Sequence, residues 1–163
     1  MISEQLELII KNAFDLAKSK KHEFLTLEHL LLELCKDSEV KEFFTYKEVN
    51  TLTIIEDLEK YIDTKLNSII VNEDIKPLPS SSFERVLKRA AQHVHSSGKP
   101  EVRSLNILVS MFSERDSFAV YFLEKQNVSR LDLVSYISHE KKLINENTEQ
   151  KNNDNLGSES NSN

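Results

Sequence analysis

The chain has 163 residues, and 39% of them are apolar, which is enough for one domain with a single core. Its net charge of −6 and pI of about 5.4 argue against a nucleic-acid-binding protein, because such proteins need a basic surface. Two glycines and three prolines are too few for the many tight turns of an all-β chain, so the composition predicts an all-α fold.

The cysteine content and the N-terminal residues bear on the compartment. Cys35 is the one cysteine, so it cannot form an internal disulfide, and the leucines before it predict a buried structural thiol. Residues 1–5 lack the basic and apolar regions of a signal peptide, and no apolar run approaches the roughly 18 residues of a membrane-spanning helix. We therefore expect a cytoplasmic protein that does not enter a membrane.

Apolar spacing predicts four helices in the first part of the chain. A stripe at intervals of three and four residues predicts a helix from about Ser3 to Lys20. Thr26 is expected to cap a second helix, a short third helix should run from Ser38 to Phe44, and a fourth from Thr51 to about Leu66. The apolar side chains expected together on the fourth helix are Leu52, Ile55, Leu58 and Ile62.

A polar connection with two prolines, from Asn67 to Pro79, is expected to cross the surface to a second group of four helices. The fifth helix should begin at Ser81, where Glu84 stands at the right distance for a capping box. Its inward stripe would carry Phe83, Val86, Leu87, Ala90, Ala91 and Val94. The caps expected for the last three helices are Ser104, Asp116 or Ser117, and Ser129 with Asp132.

The two groups of helices repeat one pattern of residues. Ile9-Ile10-Lys11 and Thr26-Leu27 return as Val86-Leu87-Lys88 and Ser104-Leu105, if the loop at Gly98 absorbs a shift of about one residue. A unit of about 75 to 80 residues in two copies predicts a pseudo-twofold domain. The predicted divisions are about residues 1–66 for the first copy, 67–79 for the connection and 80–142 for the second copy.

After about Leu143 the composition changes to Asn, Glu, Ser, Gln and Lys. Such a segment cannot bury enough apolar area to offset its chain entropy, so residues 143–163 are expected to form a disordered linker. A linker after a compact domain points to a further module in the full gene product. The alternative is a frayed natural C-terminus.

Several runs of residues carry a resemblance to a known family. In chain order they are His22-Glu23-Phe24, Glu28 to Leu32, Ser82 to Ala90, Ser96-Ser97-Gly98, Glu101-Val102 and Val128 to Asp132. Over about residues 1 to 142 the chain resembles the N-terminal Clp-repeat domain of ClpA-type AAA+ unfoldases, more closely than the Clp repeats of ClpB or ClpC. The resemblance implies two four-helix repeats, about eight helices in all, held on a mobile linker above a hexameric ATPase ring.

This resemblance implies a docking domain that is not itself an enzyme. The domain would be a monomer that binds substrate proteins and the adaptor ClpS, which delivers proteins with N-degrons for degradation by ClpP. No cofactor is expected in this chain: glycine stands only at positions 98 and 157, so no phosphate-binding loop can be written, and ATP and Mg²⁺ would bind in separate AAA+ modules. The alternative is a free-standing Clp-repeat adaptor or peptide-binding protein without an ATPase module.

The resemblance also implies an adaptor-binding surface near the start of the fifth helix. Its residues would be Glu23, Glu28, Ser81, Ser82, Phe83, Arg85, Val86 and Arg89. Phe83 and Val86 could form a small apolar patch beside Arg85, which can bind a carboxylate with two hydrogen bonds. The alternative is that Phe83 and Val86 are core residues and the charged side chains form a solvated surface.

No metal or catalytic site is predicted. The histidine pair His22 and His29 lacks H-E-x-x-H spacing, because Thr26 stands where the second histidine would be needed. Their separation of seven residues crosses a helix start, so the two rings are not expected to lie on one face. No serine or cysteine has the surroundings of a nucleophile.

Overall fold

The structure, a computed structural model, describes residues 1–66, 70–71 and 74–157. Within these ranges the chain forms eight helices and one two-stranded sheet, so the predicted all-α class with two groups of four helices is confirmed. The first group is α1 (Glu4–Ser19), α2 (Leu27–Leu34), α3 (Ser38–Tyr46) and α4 (Thr51–Thr64). The second group is α5 (Ser81–Ser96), α6 (Ser104–Met111), α7 (Phe118–Lys125) and α8 (Arg130–Gly157). The strands are β1 (Phe24–Leu25) and β2 (Leu78–Pro79).

The two copies keep one register through their first two helices. Ser3 caps α1 and Ser80 caps α5, 77 residues later. Lys21 and Gly98, also 77 residues apart, both have positive φ, at 57° and 70°, and turn the chain after the helix in the same way. The predicted shift of one residue at Gly98 is therefore wrong, and the loop geometry is the same in both copies.

The caps of two helices in the second copy lie one residue earlier than predicted. Ser80, rather than Ser81, caps α5, because its backbone N–H donates to the Leu25 carbonyl at 2.9 Å and holds it in an extended conformation. Arg103, rather than Ser104, precedes α6. Consecutive polar residues at both places leave the helix start ambiguous in the sequence, and the backbone pairing decides it.

Short pairings of extended segments interlock the two copies. β1 pairs in parallel with β2, with Leu25 opposite Pro79, and Ile2 forms a parallel bridge with Val102. These pairings are related by the same offset of 77 residues, because Leu25 corresponds to Val102 and Ile2 to Pro79. In each pairing, the segment before one copy's first helix contacts the segment before the other copy's second helix. Neither copy alone has its full set of backbone hydrogen bonds.

The core runs through both copies. On α4 the buried side chains are Ile54, Leu58 and Ile62, which recur every four residues, whereas Leu52 is 70% exposed and was assigned to the wrong face. Cys35 is buried, as predicted, and burial raises the pKa of its thiol to about 12. The thiol therefore stays protonated at neutral pH.

The connection between the copies is described in part. Ile70 forms an antiparallel bridge with His22, and the Val71 N–H donates to the Lys21 carbonyl at 2.8 Å. Residues 67–69 and 72–73 of the predicted surface crossing lie outside the described residues. Ile70 and Val71 therefore run beside the turn that follows α1.

The C-terminal segment differs from the sequence prediction. A disordered linker is expected from residue 143, but α8 continues to Gly157, and its side chains from 141 to 154 are exposed. No glycine or proline stands between Arg130 and Gly157 to end the helix, and no apolar stripe packs its last turns on the domain. The linker assignment stays a prediction. No helix among the described residues is long and apolar enough to cross a membrane.

Candidate functional site

A polar cleft opens where α5 begins beside the loop between α6 and α7. Its volume is about 590 Å³. We call it the arginine cleft, and its lining residues are Glu28, Ser82, Arg85, Ser113, Glu114, Arg115, Asp116 and Ser117. It brings together Glu28, Ser82 and Arg85 of the predicted adaptor surface, although the first of these comes from the other copy.

Three extra residues in the second copy form one wall of this cleft. Two residues separate the end of α2 from Asp37, the cap of α3. Five residues separate the end of α6 from Ser117, the cap of α7. The longer loop contains Glu114, Arg115 and Asp116, which all line the cleft. The arginine cleft is therefore a point at which the two copies differ.

Glu114 holds two arginines of α5. Arg85 Nε and Nη2 donate to its Oε1 at 3.0 and 2.6 Å, and Arg89 Nη2 donates to its Oε2 at 3.2 Å. The hydrogen bond from Arg85 lowers the pKa of the Glu114 carboxyl. The side chain of Arg85 remains 57% exposed while that of Glu114 is 9% exposed. Glu114 therefore fixes the position of the Arg85 guanidinium, and Arg85 remains exposed in the lining of the cleft.

Glu28 joins the two copies. It is 7% exposed, and its Oε1 accepts hydrogen bonds from Ser117 Oγ and the Phe118 N–H, both at 3.1 Å. A carboxylate is favourable at this place because the first N–H groups of a helix carry partial positive charge. Glu28 lines the arginine cleft and also caps α7, so its loss would disturb the packing between the copies.

The remaining predicted residues do not gather at the cleft. Phe83 and Val86 are core residues, at 1% and 0% exposed, so they do not form the predicted apolar patch. Ser81 is exposed on α5, and Arg89 is half-buried behind the cleft, where its Nη1 donates to the Ser110 carbonyl at 3.0 Å. Glu23 is half-buried before β1 and does not line the cleft.

An aromatic cluster beside the cleft was missed by the sequence analysis. Phe118 stacks on Tyr61 of α4 with ring centroids 4.6 Å apart, and it meets Tyr121 edge-on at 6.1 Å. Phe118 and Tyr121 are 46% and 55% exposed. Their spacing of three residues on a helix was the signal that could have found them, since it places both on one face. Together they form an exposed aromatic surface on α7, which begins one residue after Ser117 of the cleft.

His22 and His29 meet, although, as predicted, they do not share a helix face: His22 lies in the segment between α1 and α2. His29 Nδ1 accepts from the Thr26 backbone N–H at 3.0 Å, so the neutral ring carries hydrogen on Nε2 and donates it to His22 Nδ1 at 2.9 Å. The left-handed turn at Lys21 folds His22 back over the start of α2. Burial lowers the pKa of both rings, that of His29 to about 3. Within the described residues no three side chains are placed to hold a metal ion.

A family model described as the Clp repeat (R) N-terminal domain matches residues 1–126. The chain belongs to this family. The Clp repeat domain is 39% identical over 138 residues to a ClpA homolog protein of Fuscovulum blasticum, covering 84% of this chain and 17% of that protein. It is 26% identical over 137 residues to the chaperone protein ClpB of Chlamydia pneumoniae, covering 84% and 15%.

These comparisons agree with the predicted resemblance, which favoured ClpA over ClpB. The Clp repeat domain spans less than a fifth of the length of either relative. It is also similar to a solved complex of a ClpV N-domain with a VipB peptide, with a TM-score of 0.63, 21% identity and coverage of 81% of each chain. At this identity the similarity shows the fold alone.

Proposed function

We propose that this Clp repeat domain is the adaptor- and substrate-docking domain of a ClpA-type ATP-dependent unfoldase. It would bind ClpS, which delivers N-degron proteins, and pass substrates to AAA+ modules that work with ClpP. The identity of 39% to a ClpA homolog protein supports this proposal, as does the much greater length of that relative. The ClpV N-domain with its VipB peptide is a further example of this fold in a complex with a polypeptide.

The arginine cleft is the observation that carries the proposal. Arg85 is held on Glu114 by two hydrogen bonds, so little side-chain entropy is lost when it binds a partner. Phe118 and Tyr121 offer exposed aromatic area on α7, whose cap Ser117 lines the same cleft. Arginine and exposed aromatic residues are the residue types enriched at interface hot spots. The partner would place a carboxylate on Arg85 and an apolar side chain on the rings.

Arg85→Ala is expected to weaken ClpS binding by more than about tenfold. The variant should fold, because Glu114 keeps its bond to Arg89 and Arg85 is largely exposed. Isothermal titration calorimetry of the whole chain with ClpS measures the change. Lys88→Ala is the matched control: it removes the same charge from an exposed position of α5 that does not line the cleft. Unchanged affinity in Arg85→Ala, or an equal loss in Lys88→Ala, would contradict the assignment.

A further inference from the structure

The first copy has a cleft of its own at the place that corresponds to the arginine cleft. It lies between the start of α1, the start of α3 and the segment before α6, and its volume is about 730 Å³. We call it the acidic cleft, because the carboxylates that line it are Glu4, Asp37, Glu39, Glu42, Glu101 and Glu140. The cationic side chain that lines this cleft is that of Arg103.

Asp37 is buried in the wall of the acidic cleft with one oxygen unused. It is 2% exposed, and its Oδ2 accepts the Val40 N–H at 3.1 Å as the cap of α3. Its Oδ1 is buried and has no hydrogen-bond partner in the part of the chain that the structure describes. Burying a carboxylate oxygen without a partner is costly, so a native structure that keeps one calls for an explanation.

The pseudo-twofold relation explains why the oxygen is unused. The residue corresponding to Asp37 is Ser117, the cap of α7, whose hydroxyl donates to Glu28 of α2. The residue corresponding to Glu28 is Leu105, 77 positions later on α6, and its side chain has no polar atom. α6 packs on α3 as α2 packs on α7. The cap of α3 therefore lacks the internal partner that the cap of α7 has.

The negative charges around Asp37 are only partly neutralised. Arg103 Nη2 lies 3.2 Å from Glu39 Oε2, and the arginine side chain is 59% exposed. Burial nevertheless raises the pKa of the Glu39 carboxyl, and Asp37, Glu140 and Glu42 raise it further, whereas Arg103 lowers it. Another cation in the cleft would be attracted by several carboxylates at once.

The arrangement of the carboxylates indicates what kind of cation fits. Among the described residues no three acidic or histidine side chains are close enough together to hold a metal ion. Carboxylates spread along a cleft of about 730 Å³ suit several cationic groups carried on one chain. We propose that the acidic cleft binds an extended polypeptide segment rich in lysine or arginine, and that one of its cationic groups donates to Asp37. This second docking site is independent of the adaptor site.

The test uses a fluorescein-labelled peptide of alternating lysine and serine, with fluorescence anisotropy of the whole chain as the readout. Asp37→Asn with Glu39→Gln is expected to weaken binding by more than about tenfold. Asparagine keeps an oxygen that can cap α3, so the variant should fold. Glu56→Gln with Glu59→Gln is the matched control, because it changes net charge equally on the exposed side of α4 and should leave the affinity within about twofold.

A second pair, Glu101→Gln with Glu140→Gln, leaves the cap intact and should also weaken the peptide. Arg85→Ala should leave peptide binding unchanged, which separates this site from the arginine cleft. Any of three results would overturn the proposal: equal losses in the cleft and control variants, no loss in either cleft variant, or equal binding of a peptide with glutamine in place of lysine.

Discussion

Phe83→Ala is expected to lower the free energy of unfolding of the domain by about 3 to 5 kcal/mol. The ring is 1% exposed and lies in the core that both copies share. Truncation would remove its packing and leave a cavity that the surrounding helices fill only in part. A loss of this size is a large fraction of the total stability of an ordinary domain, about 5 to 15 kcal/mol. Weaker ClpS binding by this variant would therefore reflect disturbed core packing under α5 and not the loss of a surface contact.

Urea unfolding followed by circular dichroism measures the effect. Ser82→Ala, one residue earlier, is the control, since Ser82 is half-buried and its Oγ lies 3.2 Å from Ser80 Oγ. It should change the free energy by less than about 0.5 kcal/mol. A loss below about 1 kcal/mol in Phe83→Ala, with weaker ClpS binding in the folded variant, would return Phe83 to the binding surface.

The second large effect is a loss of stability in acid that depends on His29. Its pKa in the folded chain is about 3, against an ordinary value of 6.5, first because of burial and then because of His22 and Lys20. Between these two pH values the unfolded chain binds the proton and the folded chain does not. The free energy of unfolding is therefore unaffected by protonation of His29 above pH 6.5. It falls as the pH drops, and the loss due to His29 is about 2 kcal/mol at about pH 5.

His29→Asn tests this effect with a residue that the second copy already uses. Asn106 stands at the corresponding position of α6, and its Oδ1 accepts the Arg103 N–H at 2.9 Å, so the contact at the helix start is kept. Urea unfolding measures the free energy of unfolding near pH 7.5 and near pH 5. The decrease between these pH values should be about 2 kcal/mol smaller in His29→Asn than in the parent chain. His139→Asn on the exposed side of α8 should behave as the parent chain does. Equal pH dependence in all three proteins would refute the role of His29.

The helices could be predicted from the sequence because each has its own apolar stripe and cap. α3 begins at the expected Ser38 and α4 at the expected Thr51. What could not be predicted depends on contacts between distant segments. β1 and β2 are two residues long, too short for an apolar pattern, yet they decide that Ser80 and not Ser81 caps α5.

The candidate site was predicted only in part. Arg85 faces a cleft as expected, but its partner Glu114 lies 29 residues away on the extra residues of the α6–α7 loop. The apolar spacing of α5 predicted that Phe83 and Val86 face inward, and this prediction is confirmed, whereas the predicted apolar binding patch is not formed. The acidic cleft had no local signal, because its carboxylates come from α1, α3, α8 and the segment before α6.

The most direct test of the proposed docking function is an NMR titration of the nitrogen-15-labelled chain with unlabelled ClpS. Amide shifts should change at residues 82–89 and 113–118, around Arg85 and Phe118, and stay unchanged at residues 37–42 in the acidic cleft. The Arg85→Ala variant should need a higher concentration of ClpS than the parent chain to saturate these shift changes. Shift changes centred on the acidic cleft, or no change at any concentration, would contradict adaptor docking at the arginine cleft.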